Sequence, residues 1–133
     1  FMGKSTGKNT IDYITMATPG NATDFGDRTL SSSNAGGTGG GGRVICVGGS
    51  LTQNDMDYVT VATTGNATDF GDLTTGNRGT GASSNDTIGV RTSGYNNVNT
   101  MDYWTMLTAA NAVDFGDLAT GRQYNGGLSG VDL

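Results

Sequence analysis

The sequence has no histidine and no glutamate. All 12 acidic residues are aspartate, against seven lysines and arginines in 133 residues. Without histidine the commonest general base and metal ligand is missing, and no serine or cysteine has an imidazole to activate it. The single cysteine, Cys46, excludes an intrachain disulfide. It falls in the apolar run Val44-Ile45-Cys46-Val47, where a thiol is expected to be buried and inert. The basic residues are scattered (Lys4, Lys8, Arg28, Arg43, Arg78, Arg91, Arg122), so there is no footprint for nucleic acid and no polybasic patch for anionic lipid. No apolar run approaches the ~20 residues that cross a bilayer as a helix, and membrane insertion is not expected. A net charge of −5 favours solubility. No enzyme is expected, because there is no activated nucleophile and the aspartates recur symmetrically instead of forming one asymmetric site.

What is abundant is turn and strand chemistry. Glycine supplies 24 residues and proline one, while Asn, Asp, Thr and Ser fill much of the rest. Helix formers are scarce and the β-branched and aromatic residues sit in short runs, which predicts an all-β fold. Only 34% of residues are hydrophobic, so the core is expected to be thin and distributed.

One stretch is stated three times. The segments 9–29, 54–74 and 99–119 share the pattern Asp-Tyr, a turn, then Asn-Ala-x-Asp-Phe-Gly-Asp. Asp12, Asp57 and Asp102 stand 45 residues apart (57 − 12 and 102 − 57), and so do Phe25, Phe70 and Phe115. A period of this size marks units that cannot bury their apolar faces alone and must stack. The Asp-Tyr part reads as a strand over 11–18 with apolar groups on both faces, and 22–28 as a second strand with a bulge at Gly26. A Ser/Gly-rich segment and an apolar strand (43–49) complete each period. Four strands in about 45 residues is the length of a β-propeller blade. The single domain, 1–133, is therefore expected to hold three four-stranded blades.

Val44-Ile45-Cys46-Val47-Gly48-Gly49, then Met56-Asp57-Tyr58, then Thr68-Asp69-Phe70 resembles the layout of a kelch-type blade, with phenylalanine at the place of that family's tryptophan. The wording of Asp57 to Leu73 resembles repeats in uncharacterised bacteriophage proteins that are virion or tail-associated. The resemblance covers the three signatures. It implies a viral structural protein, located in a virion or outside the cell.

The ends complement each other. Spacers of 24 residues separate the signatures (30–53 and 75–98), while 8 residues precede the first and 14 follow the third. Together those 22 make almost one spacer, so the C-terminal tail 120–133 is expected to supply the first strand of the first blade. Three blades do not close a ring. Either the termini of two copies exchange strands, giving six blades as a dimer or another closed oligomer, or the 133 residues are a piece of a longer propeller. An exchange that fails to close gives a filament.

Candidate site residues follow from the repeat. Asp12, Tyr13, Asp57, Tyr58, Asp102 and Tyr103 would form one ligand pocket per blade, or pack between blades. Tyr95 and Tyr124, in Asn/Gly-rich loops, could stack on sugars. Asp24, Asp27, Asp69, Asp72, Asp114 and Asp117 offer oxygen ligands of the kind calcium takes, but not in the alternating 1, 3, 5 spacing of a calcium loop; Asx turns are the expected role and no cofactor is expected. The expected function is a structural or interaction module used in virion assembly or host-surface binding, its partners being itself, a host-surface glycan or other virion proteins. The alternative is a carbohydrate-binding propeller with one site per blade.

Overall fold

The computed structural model describes residues 8–50 and 52–128. Ten strands run in chain order: β1 Thr10–Tyr13, β2 Thr23–Asp27, β3 Gly36–Gly40, β4 Arg43–Val47, β5 Asp55–Thr60, β6 Thr68–Asp72, β7 Gly81–Ser84, β8 Ile88–Gly94, β9 Val98–Thr105 and β10 Val113–Asp117. No helix occurs among the described residues. The strands form three antiparallel sheets: sheet 1 is β1-β2, sheet 2 is β3-β4-β5-β6 and sheet 3 is β7-β8-β9-β10. In sheets 2 and 3 every strand lies beside its neighbour in sequence.

Each outer hairpin carries the same irregularity. Ile11 faces Gly26 but Asp12 faces Asp24, so Phe25 is an extra residue in β2. Phe70 in β6 and Phe115 in β10 are extra in the same way. The following glycine takes positive φ each time, +146° at Gly26, +137° at Gly71 and +120° at Gly116. A bulge of this kind bends the strand and turns the phenylalanine ring onto the sheet face. There it meets the tyrosine of the paired strand edge-on, with ring centroids 5.9 Å apart for Tyr13–Phe25 and 5.8 Å for Tyr58–Phe70 and Tyr103–Phe115.

Neighbouring sheets pack face to face, and the two junctions use equivalent residues. Between sheets 1 and 2 lie Ile11, Phe25 and Val59, with Val44 and Ala67 beside them. Between sheets 2 and 3 lie their counterparts 45 residues on, Met56, Phe70, Trp104 and Ala112, enlarged by Ile45, Val47, Leu73 and Met106. One size exchange keeps the second junction filled without overpacking. Val44 pairs with Val59 across sheet 2, while Gly89 pairs with Trp104 across sheet 3. A Cβ on Gly89 would stand 2.4 Å from the indole, so the small residue makes room for the large one.

The inner strands β3 (GGTGG) and β7 (GASS) also face each other. Almost without side chains, they approach closely enough for Thr38 Oγ1 to donate to Ser84 Oγ at 2.9 Å and Ser84 Oγ to the Gly39 carbonyl at 2.5 Å. The Ser/Gly-rich segments are thus strands, as the register predicts, and not linkers. Beyond sheet 3, the tail brings Leu128 N to Ser83 Oγ at 3.1 Å, again a separation of 45 residues in sequence. Residues 129–133 and the start of the first period, 1–7, lie outside the described residues.

The strand expected over 11–18 stops at Tyr13. Ile14 is 45% exposed and Met16 94% exposed, so the apolar residues of this stretch do not all face protein. The reason is the missing neighbour. The equivalent residues Val59 and Thr60 are held in β5 by Val44 and Arg43 of β4. Among the described residues sheet 1 has no strand on that side of β1, and its hairpin opens early.

Candidate functional site

Successive side chains of a strand point to opposite faces, so each Asp-Tyr pair is split by the pleat. The tyrosines go with the phenylalanines, toward the following sheet. The aspartates go the other way, toward the preceding one. Asp57 and Asp102 are wholly buried, and what they meet defines the most elaborate polar arrangement among the described residues.

Asp57 lies in β5 and accepts from the segment that follows β2. Arg28 Nε donates to both carboxylate oxygens, at 3.0 and 3.1 Å, and Arg28 Nη2 stands 3.0 Å from Oδ1. Thr29 adds its backbone N–H and its hydroxyl, both 3.0 Å from Oδ2. The guanidinium is itself held, Nη1 donating to Ser32 Oγ. One carboxylate thus ties sheet 2 to the chain leaving sheet 1, with both charges out of water and both oxygens occupied. A fork–fork pair of this kind offsets the cost of desolvating the ions only because its geometry is this complete.

Asp102 takes up a related arrangement at the next junction. Thr74, the counterpart of Thr29, donates its hydroxyl to Asp102. The arginine, however, is Arg91, directly across the sheet on β8. Its Nε donates to Oδ2 at 3.0 Å, its Nη2 also pairs with Oδ2, and its Nη1 donates to the Ser93 carbonyl at 3.2 Å. At the register position of Arg28 stands Leu73, and at the register position of Arg91 stands Cys46, directly across from Asp57. Each buried aspartate therefore receives one guanidinium, supplied once from the preceding period and once from its own sheet. Cys46 is buried, and that burial pushes its thiol up to about 12, far from any nucleophilic role.

Asp12, the first of the three, is half-buried on the face of sheet 1 that has no described sheet against it. Tyr13 is 39% exposed, while Tyr58 and Tyr103 are half-buried, Tyr58 under the Arg43 guanidinium 4.3 Å from its centroid. Tyr95 and Tyr124 do come together, edge to face at 6.3 Å, with Arg78 lying 4.3 Å over the Tyr95 ring. Of these two, Tyr124 is the more exposed, at 58%.

The remaining aspartates do not converge. Asp24, Asp27, Asp69, Asp114 and Asp117 are exposed and Asp72 half-buried, and among the described residues no three carboxylate or thiol groups stand close enough to hold an ion. Asp114 makes an Asx turn, its Oδ1 accepting from Gly116 N at 3.2 Å. The signature asparagines serve the neighbouring sheet. Asn66 Oδ1 accepts from Asp27 N and Asn111 Oδ1 from Asp72 N, each at 3.0 Å. The backbone alongside does the same, Ala67 N to Asp27 O and Ala112 N to Asp72 O, each at 2.7 Å. The turn of one hairpin thus covers the outer strand of the hairpin before it.

Two cavities recur with the period. A cup of about 200 Å³ lies inside the first hairpin, between Tyr13, Thr15, Thr18 and Asn21. A cup of about 250 Å³ lies inside the second, between their counterparts Tyr58, Thr60, Thr63 and Asn66. Hydroxyls, an amide and a ring edge line them, without a charged group. A larger apolar cleft of about 340 Å³ lies between sheets 1 and 2, among Ile11, Phe25, Val44 and Val59.

Neither a protein-family model nor a curated protein matches the chain.

Sequence reasoning found the aspartates and missed the partners of the buried pair, Arg28, Arg91, Thr29 and Thr74. A signal was present. At the one register position where 46 is cysteine, the position of 28 is arginine, and where 91 is arginine the position of 73 is leucine. Exchanging the pattern tests the assignment. Arg28→Leu leaves Asp57 buried without its cation and is expected to cost about 3–5 kcal/mol. Adding Cys46→Arg rebuilds in sheet 2 the arrangement of sheet 3 and is expected to recover most of that loss in urea denaturation. A double variant no more stable than Arg28→Leu would show that the two arginine positions are not alternatives.

Proposed function

We propose that this chain is a non-enzymatic structural and interaction module, a run of propeller-type blades that displays its outer hairpins to partners. The observation that carries the reading is the repetition of one junction. The same carboxylate, threonine, asparagine and aromatic positions are used twice, 45 residues apart, to join one sheet to the next. The polar residues that recur most strictly are thereby committed to packing units together. The meander order of sheets 2 and 3, with glycine-rich inner strands side by side, supports blades arranged about an axis.

The hairpin tips support the display role. Met16 and Val61, at one register position, are 94% and 56% exposed, and in the third turn Leu107 is 58% exposed while Met106, their counterpart, is buried. Exposed apolar side chains at loop tips, held by a rigid sheet stack, suit protein–protein contact. With the phage-like wording of the repeats, this favours a virion or tail-associated protein, used in assembly or at a host surface. Self-association belongs to the reading, because the outermost sheets present faces of the type that elsewhere in the chain are covered.

Native mass spectrometry at about 10–50 μM is the direct test. A discrete multiple of the chain mass is expected, two chains making six blades. A monomer throughout would contradict self-assembly, and an open ladder of masses would favour a filament.

The recurring cups favour one second reading, a carbohydrate-binding propeller with a site per hairpin. Their neutral lining of hydroxyls, amide and tyrosine suits a polyhydroxylated ligand without charge. A glycan array decides it. Binding lost in Tyr58→Ala is expected if the cups are sites, and a blank array removes this reading.

A further inference from the structure

The two end faces of the chain differ from every internal face in one respect, which is what covers them. Phe25 and Phe70 are 9% and 2% exposed, yet Phe115, in the same bulge with the same tyrosine beside it, is 56% exposed. The glycines after these phenylalanines make the same comparison. A Cβ on Gly26 would lie 2.3 Å from the Gly65 carbonyl oxygen, and one on Gly71 would lie 2.5 Å from the carbonyl of Ala110. At Gly116 there is nothing within 4 Å, although its φ of +120° keeps the conformation that elsewhere admits a neighbouring turn. The backbone of β10 is thus shaped for a contact that none of the described residues makes.

The repeat says which surface makes it. Phe25 is covered by Val59 and Ala67 of the next sheet, and Phe70 by Trp104 and Ala112. The residues at those register positions in the first hairpin are Ile14 and Ala22, both exposed. Gly20 and Asn21 of the same hairpin stand at the positions of Gly65 and Asn66. Sheet 1 therefore carries, uncovered, the surface that fits β10.

The tail gives an independent pointer to the same joint. The stretch 126–128 is in register with the starts of β3 and β7. It lies against β7, with Leu128 N on Ser83 Oγ, as β7 lies against β3. It stands at the place that β3 and β7 hold in their sheets. Sheet 1 has the two outer strands and lacks, among the described residues, the inner ones.

We infer that the β10 face of one copy receives the first hairpin of a second copy, with Ile14 and Ala22 over Phe115 and the Gly20-Asn21 turn against Gly116. Asn21 Oδ1 then accepts from Asp117 N, as Asn66 and Asn111 accept from Asp27 and Asp72. The joint is head-to-tail, two different patches meeting, so that each copy has one of each. This rests on the self-assembling module proposed above and specifies its interface.

Two variants and their mixture test it by native mass spectrometry and analytical ultracentrifugation. Ala22→Arg places a charge on the hairpin side, and Phe115→Ser removes the ring on the β10 side. Both positions are exposed in the single chain. Each variant alone is expected to lose self-association at least about tenfold. An equimolar mixture of the two is expected to restore it as a one-to-one complex, since one intact patch of each kind remains. That rescue also shows both variants folded. Wild-type chain that is monomeric at these concentrations overturns the module reading and this joint together. Wild-type oligomers left intact by both variants, or variants with native circular dichroism whose mixture stays monomeric, overturn the joint and leave self-assembly standing.

Discussion

The structure depends on two carboxylates kept out of water. Asp57 and Asp102 sit at the centre of their sheets, each with an arginine, in fork geometry at Asp57 and on one oxygen at Asp102, and a threonine hydroxyl from the preceding period. A buried charge without a partner is far more costly than a buried charge pair, so the aspartate commits the chain around it to one arrangement. The segment leaving one sheet cannot drift from the next without stranding an ion. This suits a protein of thin sheets, in which the glycine-rich inner strands contribute little apolar area and register would otherwise be loosely specified.

Apolar packing at each junction is arranged around the same clasp. The bulge at Phe-Gly turns one ring onto each sheet face, and the turn of the following hairpin closes over it. Variation between periods is compensated locally. Trp104 replaces Val59 where Gly89 replaces Val44, and Arg91 replaces Cys46 where Leu73 replaces Arg28. Such exchanges keep volume and charge nearly constant at each junction while the sequence changes. They explain how repeats with unequal side chains make equivalent contacts. The faces left without a counterpart, at sheet 1 and at β10, are where the apolar signature residues become solvent-exposed.

Much of the fold was legible because the period is so strict. The register placed Asp12, Asp57 and Asp102 at equivalent positions, turned 30–42 from an apparent linker into strand β3 and its flanks, and marked Gly26 as a bulge. Two things were not legible. The end of β1 depends on a neighbouring strand for 14 and 15, and 16–18 is turn in every period, neither of which alternation along the chain reports, so 14–18 read as strand when Tyr13 ends it. The partners of the aspartates lie 28, 29 or 11 residues away and are supplied differently in the two periods. A repeat written as one consensus hides an arginine that changes position. The site candidates suffered in the same way. Asp-Tyr reads as one motif, but a strand's pleat sends its two side chains to opposite junctions.

The central claim is that these aspartates join sheet to sheet. Hydrogen–deuterium exchange of Asp57→Asn measures this directly. The account predicts faster exchange along the junction of sheets 1 and 2, in β2, in 28–33 and in the turn 64–67, while β8, β9 and β10 keep their protection. Exchange unchanged across that junction, or loosened equally in all three sheets, would contradict it.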